Sequence, residues 1–140
     1  MFNPHSCALI VEGGAMRGIF ASGVLDAFVE SHHYPFDFVM GVSAGATNLV
    51  SYLSEQPRRS HHIITELACS SRFLDPLRFV KGGDLVDIGW LWQASRHRFP
   101  LDLDTFCARD IPFYAVATDV ASGKAIYLPV RPDNMDEVLT

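Results

Sequence analysis

The sequence predicts an α/β domain built on a mostly parallel sheet. Two short apolar runs, residues 7–11 (CALIV) and 36–40 (FDFVM), are each followed by a glycine-containing turn and then by a segment of helical character. Alternating strands and helices of this kind favour parallel strands joined by crossover helices. Because 49% of the 140 residues are hydrophobic, the chain can bury one ordinary core. We therefore treat residues 1–140 as parts of a single domain.

The first half of the chain alternates regularly. Residues 7–11 form a continuous apolar run, which is typical of a strand covered on both faces. A glycine-rich loop leads into a helix over residues 17–30, and apolar side chains at helical spacing predict that one stripe of it is buried: Phe20, Val24, Ala27 and Phe28. Residues 36–40 are a second buried strand, and residues 44–53 a second helix.

The second half is less regular. Large apolar residues are frequent in residues 73–100, where residues 84–94 are predicted to form a helix. Residues 111–118 form an apolar strand that ends in a turn, and residues 125–130 return beside it. The chain then closes with a helix that begins at residue 133.

Charge and cysteine content exclude several classes of function. The formal net charge of −5 argues against a nucleic-acid partner, which requires a cationic face. Cys7, Cys69 and Cys107 are widely spaced, so neither a disulfide framework nor a metal site is indicated. The N-terminal segment lacks the features of a secretory signal, and no apolar run approaches the ~20 residues that span a bilayer. These features predict a soluble, cytoplasmic protein.

The order strand, helix, strand should bring two motifs to one edge of the sheet. A right-handed crossover leaves its two strands parallel and usually adjacent, so their carboxyl ends point the same way. The loop at Gly13 and Gly14 follows the first strand, and Ser43 follows the second. Both should therefore lie on the rim where open α/β folds bind ligands.

Ser43 is a candidate nucleophile because it is the centre of the sequence GVSAG at residues 41–45. Gly-x-Ser-x-Gly between a strand and a helix is typical of the sharp turn that lifts a reactive hydroxyl out of a sheet, with Gly41 and Gly45 leaving room for tight packing. The alternative is a small-residue turn that caps a helix. The upstream glycine loop favours the nucleophile, because its backbone N–H groups can stabilise the oxyanion formed in acyl transfer.

A phosphate-binding loop is the main alternative for residues 13–18 (GGAMRG). The outer glycines have the spacing of a Walker loop, but Ile19 and Phe20 stand where a lysine and a Ser/Thr should hold phosphate and magnesium. A dinucleotide fingerprint also fails, because Ala15 replaces its second glycine. Nucleotide binding is therefore the weaker hypothesis.

A histidine-based triad does not fit the chain. In an α/β-hydrolase the base follows the nucleophile along the sequence, which leaves His61, His62 and His97. The first two lie in a polar stretch, residues 56–62, that is interpreted as a solvated turn and helix start, and His97 is interpreted as a surface residue. An α/β-hydrolase also has several strands before its nucleophile, whereas Ser43 follows the second predicted strand.

The two motifs together resemble those of the patatin-like phospholipases, serine acyl hydrolases that use a Ser-Asp dyad and no histidine. The family's loop, Asp/Glu-Gly-Gly-Gly-x-Arg/Lys-Gly, resembles residues 12–18 (EGGAMRG), and its elbow resembles residues 41–45. The likeness continues through residues 81–85 (KGGDL) and 113–119 (FYAVATD), so it covers most of the chain and is greatest for the bacterial members. It implies a three-layer α/β/α fold, with residues 1–140 as the N-terminal portion of one domain.

The resemblance also implies an activity. Ser43 would attack a carboxylic ester and form an acyl-enzyme, while the amides of Gly13, Gly14 and Ala15 hold the oxyanion. No metal and no cofactor are implied. The implied partners are a lipid or other ester substrate and, transiently, a membrane surface. The alternative function is a catalytically incomplete lipid- or ligand-binding module of the same fold.

Two departures from the family pattern bear on that activity. Ala15 stands where the family usually has its third glycine, and its Cβ narrows the allowed dihedrals. The family's catalytic Asp is in an Asp-Gly pair, whereas none of the aspartates here is followed by glycine. Asp119 is a poor substitute, because its context predicts a turn that an Asp side chain closes by bonding to nearby backbone. We therefore expect a truncated chain, inactive alone, with the dyad Asp beyond Thr140.

Two further features have alternative interpretations. The apolar residues 73–100 are either plain core, which is the favoured interpretation, or the wall of an acyl-chain pocket or a mobile cover. Arg17 either attracts a phosphate head group near the oxyanion loop or ties that loop to a carboxylate such as Glu12.

Overall fold

The computed structural model describes residues 6–140, which form a four-stranded sheet with helices packed against it. The strands are β1 (Ala8–Val11), β2 (Phe38–Val42), β3 (Phe113–Thr118) and β4 (Ala125–Pro129). The α-helices are α1 (Gly18–Glu30), α2 (Ala44–Leu53), α3 (Arg59–His62), α4 (Pro76–Val80), α5 (Ile88–Arg98), α6 (Leu103–Arg109) and α7 (Met135–Val138). A 3₁₀ turn, Ala15–Arg17, precedes α1, and a π-helical segment, Ile63–Ala68, follows α3.

The strands are arranged in sequence order, β1-β2-β3-β4. The first three are parallel, and β4 runs antiparallel to β3. Leu9 pairs with Val39, which pairs in turn with Phe113. The predicted parallel pairing of the first two strands is confirmed, and so is the returning strand β4. A mostly parallel sheet with flanking helices is consistent with the predicted three-layer α/β/α class, of which residues 6–140 contribute the sheet and the helices on one of its faces.

The core lies on one face of the sheet. Val39 and Leu49 are completely buried, at 0% exposure, and Phe113 is 3% exposed. These side chains belong to one cluster that joins the strands to α2 and to parts of α1, α5 and α7. Eight of the ten residues of α2 are buried, so the helix that follows the candidate motif is the most enclosed element of the described chain.

The prediction that β1 is covered on both faces is wrong for residues 6–140. Val11 is 6% exposed, but its neighbour Ile10 is 66% exposed. The strand order explains the difference, because right-handed crossovers that step in one direction across a sheet place their helices on the same side. The face that carries Ile10 and Val42 receives no covering helix from those crossovers.

The buried stripe of α1 also differs from the predicted one. The residues that this helix buries are Gly18, Ser22, Leu25 and Val29. Phe20 and Val24 are instead 81% and 41% exposed. The small residues allow α1 to approach α2 closely, and the Asn48 side-chain amide donates to the Gly18 carbonyl oxygen at 2.8 Å. Close helix packing, more than the number of apolar side chains, selects the buried face.

The turn between β2 and α2 packs directly beneath the loop that follows β1. A Cβ at Gly45 would overlap the carbonyl oxygen of Val11 and lie 2.6 Å from that of Glu12. A Cβ at Gly41 would lie 2.6 Å from the backbone nitrogen of Ala46. Neither position accepts a larger residue unless the backbone moves. Gly45 thus allows contact between the loop and the turn, and Gly41 allows the turn itself to be tight.

Gly45→Ala should lower the free energy of unfolding by about 2 kcal/mol, because the added methyl group meets backbone atoms that cannot rotate away. Gly23→Ala is the matched control: Gly23 lies within α1, and a Cβ there meets nothing within 4 Å. That variant should raise the free energy of unfolding by about 0.5–1 kcal/mol through helix propensity. Urea unfolding measures both. A Gly45→Ala protein as stable as the wild type would contradict this packing.

Candidate active site

Ser43 lies at the junction of β2 and α2, where the backbone is strained. Its φ of 51° and ψ of −123° fall in a region that residues with a side chain rarely adopt. The residue is exposed, and its hydroxyl makes no capping hydrogen bond to α2, so the helix-cap alternative is not observed. Strain of this kind costs about 1–3 kcal/mol and is concentrated at functional sites.

The loop after β1 runs beside Ser43. A Cβ at Gly13 would lie 3.2 Å from the Cβ of Ser43 and 3.0 Å from the carbonyl oxygen of Val42. Within the described chain, the amides of residues 13–15 donate no backbone hydrogen bond. The structure therefore brings the candidate nucleophile next to the candidate donor loop. Backbone amides without partners are groups that can stabilise an oxyanion.

The rest of the loop is shaped by Ala15 and Arg17. Ala15 has a φ of 48°, a conformation that favours glycine and that its Cβ makes unfavourable. The Arg17 side chain folds back over the loop: its Nε would lie 3.3 Å from a Cβ placed on Gly14. No ion pair between Arg17 and Glu12 is found among residues 6–140. The exposed guanidinium therefore remains at the rim of the site.

Two candidate proton acceptors for Ser43, Asp119 and His62, have other hydrogen-bond partners. Asp119 closes the turn after β3, as predicted, because its Oδ1 accepts hydrogen bonds from the amides of Ala121 at 2.8 Å and Ser122 at 3.0 Å. His62 pairs with Glu66 at 2.9 Å on the surface. Among the described residues, no histidine, aspartate or glutamate lines the cavity that Ser43 borders.

That cavity has a volume of about 320 Å³ and a mainly apolar wall. Ser43, Ala15 and Met16 line it near the loop. The apolar residues of its wall come chiefly from the π-helical segment, from α5 and from the chain around them: Ile63, Ile64, Ala68, Phe73, Val86, Ile88, Leu91, Trp92, Val138 and Leu139. π-helical turns are frequent at functional sites. An apolar cavity beside an exposed hydroxyl suits a hydrocarbon chain attached to a reactive group.

Comparison with known proteins identifies the family. Residues 9–123 match the family described as Patatin-like phospholipase. The chain belongs to the patatin-like phospholipase family. It is 45% identical over 104 residues to an Escherichia coli (strain K12) protein named Uncharacterized protein YjjU, a match that covers 74% of this chain and 29% of that relative. No solved structure matches the chain.

The middle of this patatin-like chain supplies both core and cavity wall. Trp92 is 5% exposed and Phe73 is 6% exposed, and both line the cavity. Phe79, by contrast, is largely exposed. Helix α5 begins later than predicted, because the Asp87 side chain caps it by accepting a hydrogen bond from the Trp90 amide at 2.9 Å. Residues 73–100 therefore contribute both to the core and to the wall of a cavity, so these two interpretations of the segment are compatible.

Trp92 is fixed by a carboxylate on α7. Its indole Nε1–H donates to Asp136 Oδ1 at 2.7 Å, and Arg96 forms an ion pair with the same oxygen. The hydrogen bond from Trp92 has the largest effect and lowers the pKa of Asp136 below its ordinary value. Desolvation opposes this shift, and the hydrogen bond and charge of Arg96 add to it. This contact ties the last described helix to the cavity wall.

Sequence reasoning missed Arg59 as a cavity residue. The polar stretch 56–62 is predicted to be solvated, yet Arg59 and Ser60 are each 5% exposed and line the cavity. The Arg59 Nε donates to the Phe99 carbonyl oxygen at 2.9 Å, and its Nη1 donates to Ser51 Oγ at 3.1 Å. No local pattern marks this arginine, because arginines in polar stretches are ordinarily exposed.

Within residues 6–140, no helix has both the length and the apolar character needed to cross a membrane. The same stretch holds no group of three or more His, Cys, Asp or Glu residues arranged to bind a metal ion.

Ser43→Gly should raise the free energy of unfolding by about 1 kcal/mol relative to Ser43→Ala, because glycine relieves the positive φ whereas alanine keeps it. Both variants lose the hydroxyl, so the comparison isolates backbone strain. Urea unfolding of the two proteins measures the difference. Equal stabilities, or a less stable glycine variant, would contradict the strain at this position.

The contribution of Asp136 to stability should depend on pH. Because its pKa is lower in the folded protein than the unfolded value of about 3.9, its stabilisation is complete above that value and is lost as the pH falls through the folded pKa. The stability difference between wild type and Asp136→Asn should therefore be constant from pH 7 to 5 and shrink below about pH 4. Asp133→Asn, at a 74% exposed side chain, is the control. A difference independent of pH would contradict this assignment.

Proposed function

We propose that the protein is a serine acyl hydrolase that cleaves carboxylic esters of lipids through an acyl-enzyme on Ser43. The observation that carries the proposal is the strained, exposed Ser43 beside the free amides of the loop at residues 13–15. Membership of the patatin-like phospholipase family supports an ester substrate. The apolar cavity that Ser43 borders supports a substrate with a hydrocarbon chain.

In the first half-reaction the Ser43 Oγ attacks the ester carbonyl carbon. A base takes the hydroxyl proton, and the carbonyl oxygen becomes an oxyanion that the amides of Gly13, Gly14 and Ala15 stabilise. Each key donor is worth about 3–4 kcal/mol in such reactions. The C–O bond to the alcohol then breaks, and the same base returns the proton to the leaving alkoxide. The products are an alcohol and an acyl ester of Ser43.

In the second half-reaction water replaces the alcohol. The base takes a proton from water, the oxygen of that water attacks the acyl carbon, and the oxyanion forms again in front of the same amides. Collapse of this intermediate breaks the bond to Ser43 Oγ, which recovers its proton from the base. One ester and one water thus give one acid and one alcohol, and the protein is regenerated.

The base in this proposal is an aspartate beyond Thr140, in the Asp-Gly pair that the family pattern contains. That placement agrees with the cavity lining, since no carboxylate or histidine among the described residues lines it. Residues 1–140 alone would then be inactive. The match to the Escherichia coli relative covers 29% of the length of that relative, and the dyad is proposed for the whole protein.

Two surface features support a lipid as the substrate. Arg17 lies at the rim beside Gly14, where its guanidinium can attract a phosphate head group. Leu77, Phe79 and Val80 are 71%, 59% and 82% exposed, next to Lys81. An exposed apolar cluster beside a cation suits transient contact with a membrane surface.

A fluorophosphonate probe on the natural full-length protein tests the proposal. The probe should label the wild type covalently, and Ser43→Ala should abolish labelling, because the probe reacts with an activated serine. Ser122→Ala, at an exposed serine in the turn after β3, is the matched control and should label as the wild type does. Gel fluorescence after a short incubation measures the labelling.

Labelling that persists in Ser43→Ala would contradict the assignment of Ser43. A wild-type protein that is folded, as judged by circular dichroism, but is not labelled would contradict the enzyme and favour the non-catalytic lipid- or ligand-binding module.

A further inference from the structure

Arg59 is a buried cation that lacks a counter-charge in the described chain. Its side chain is held at Nε by the Phe99 carbonyl oxygen and at Nη1 by Ser51 Oγ, but Nη2 is buried without a hydrogen-bond partner. None of the ion pairs formed within residues 6–140 includes it. Buried guanidinium groups are ordinarily paired with an anion, because an uncompensated buried charge is strongly destabilising.

The surroundings of Arg59 do not neutralise its charge. Burial, and next the charge of Arg96, lower the pKa of Arg59 to about 10, so the group still carries its charge at neutral pH. Arg96 is itself paired with Asp136. The other buried polar residues of the cavity, Asn48, Ser60 and Ser95, bear no charge. One cationic position therefore stands in a wall that is otherwise apolar or neutral.

The length of α2 gives an estimate of the distance between Arg59 and Ser43. Ser51, which accepts the hydrogen bond from Arg59, lies eight residues after Ser43 along that helix. At about 1.5 Å per residue, the two serines are roughly 12 Å apart along the helix axis. An extended hydrocarbon chain advances about 1.25 Å per C–C bond, because bonds of about 1.5 Å meet at about 111°, so a chain of about ten carbons covers this distance.

We propose that the cavity accepts an acyl chain of about ten carbons whose far end carries a carboxylate, which pairs with Arg59. The substrate class is then a monoester of a medium-chain dicarboxylic acid, with its ester carbon at Ser43. This inference rests on the proposed hydrolase function, which it deepens. The carboxylate supplies the acceptor that Nη2 lacks, and the apolar wall contacts the methylene groups between the two ends.

A pair of esters tests the proposal on the full-length wild type. The 4-nitrophenyl monoester of decanedioic acid should have a kcat/KM at least ~10-fold higher than 4-nitrophenyl decanoate, because a buried charge-assisted hydrogen bond is formed with the first ester alone. The preference should be greatest near ten carbons and absent at six, since the shorter carboxylate does not reach Arg59. Release of 4-nitrophenolate measures both rates.

Arg59→Gln should abolish or reverse the preference for the carboxylate-bearing ester. The control is Arg98→Gln, because Arg98 is 63% exposed, pairs with Glu66 and does not line the cavity. It should keep the wild-type preference. If Arg59→Gln does not fold, the chain-length series on the wild type decides alone. A wild type that prefers the neutral ester at every chain length overturns the proposal. That result is expected if a carboxylate of the protein itself pairs with Arg59.

A binding measurement separates this inference from the proposed function. In Ser43→Ala, which hydrolyses neither compound, monomethyl decanedioate should bind ~10-fold more tightly than methyl decanoate by calorimetry. Adding Arg59→Gln should remove that difference. Discrimination in binding without fluorophosphonate labelling of the wild type would contradict the hydrolase but support the carboxylate site. Labelling and hydrolysis without discrimination between the two esters would support the hydrolase and overturn the carboxylate site.

Discussion

The close contact between Gly45 and the carbonyl oxygens of Val11 and Glu12 is the constraint on which the rest of the site depends. It brings the first turn of α2 against the end of β1, so that the loop after β1 runs beside the turn after β2. Parallel pairing of the two strands aligns their carboxyl ends, but alignment alone leaves neighbouring strands about 4.8 Å apart with their loops free to diverge. Because Gly45 has no Cβ, the start of α2 can approach the end of β1, and the loop then lies beside Ser43.

The site has strained backbone conformations at the surface, supported by buried elements beneath them. Ser43 has a positive φ, and Ala15 in the facing loop has one as well. Such conformations persist only where the surrounding structure determines them, and here the buried strand β2 and the buried helix α2 do so. The cavity that leads from Ser43 is walled by elements from the middle and the end of the described chain, with Trp92 fixed by Asp136. A reactive group is thus exposed on a rigid support, and its apolar cavity contains one buried cation.

The sequence predicts turns and strands correctly, because their geometry depends on local residues. It does not predict which faces of α1 and β1 are buried, because tertiary packing determines them. The GVSAG turn, the first two strands and the Asp119 turn follow from glycine spacing, apolar runs and turn chemistry, and they are observed. The buried face of α1 was predicted from apolar spacing, but small residues at Gly18 and Ser22 allow the closer approach and are buried instead. Ile10 is exposed because both crossovers pass on one side of the sheet, which the order of elements alone does not reveal.

The class of the fold, the family, and the neighbouring positions of Ser43 and the loop at residues 13–15 follow from the amino-acid sequence. The two positions are neighbours because a right-handed strand-helix-strand crossover leaves its strands parallel and usually adjacent. Only the tertiary structure decided that Arg59, in a polar stretch, is buried in the same cavity as Ser43. The physical reason is that burial of a charge depends on which distant elements enclose it. The guanidinium of Arg59 donates hydrogen bonds to Phe99, forty residues later, and to Ser51, eight residues earlier. No pattern in residues 56–62 indicates these contacts.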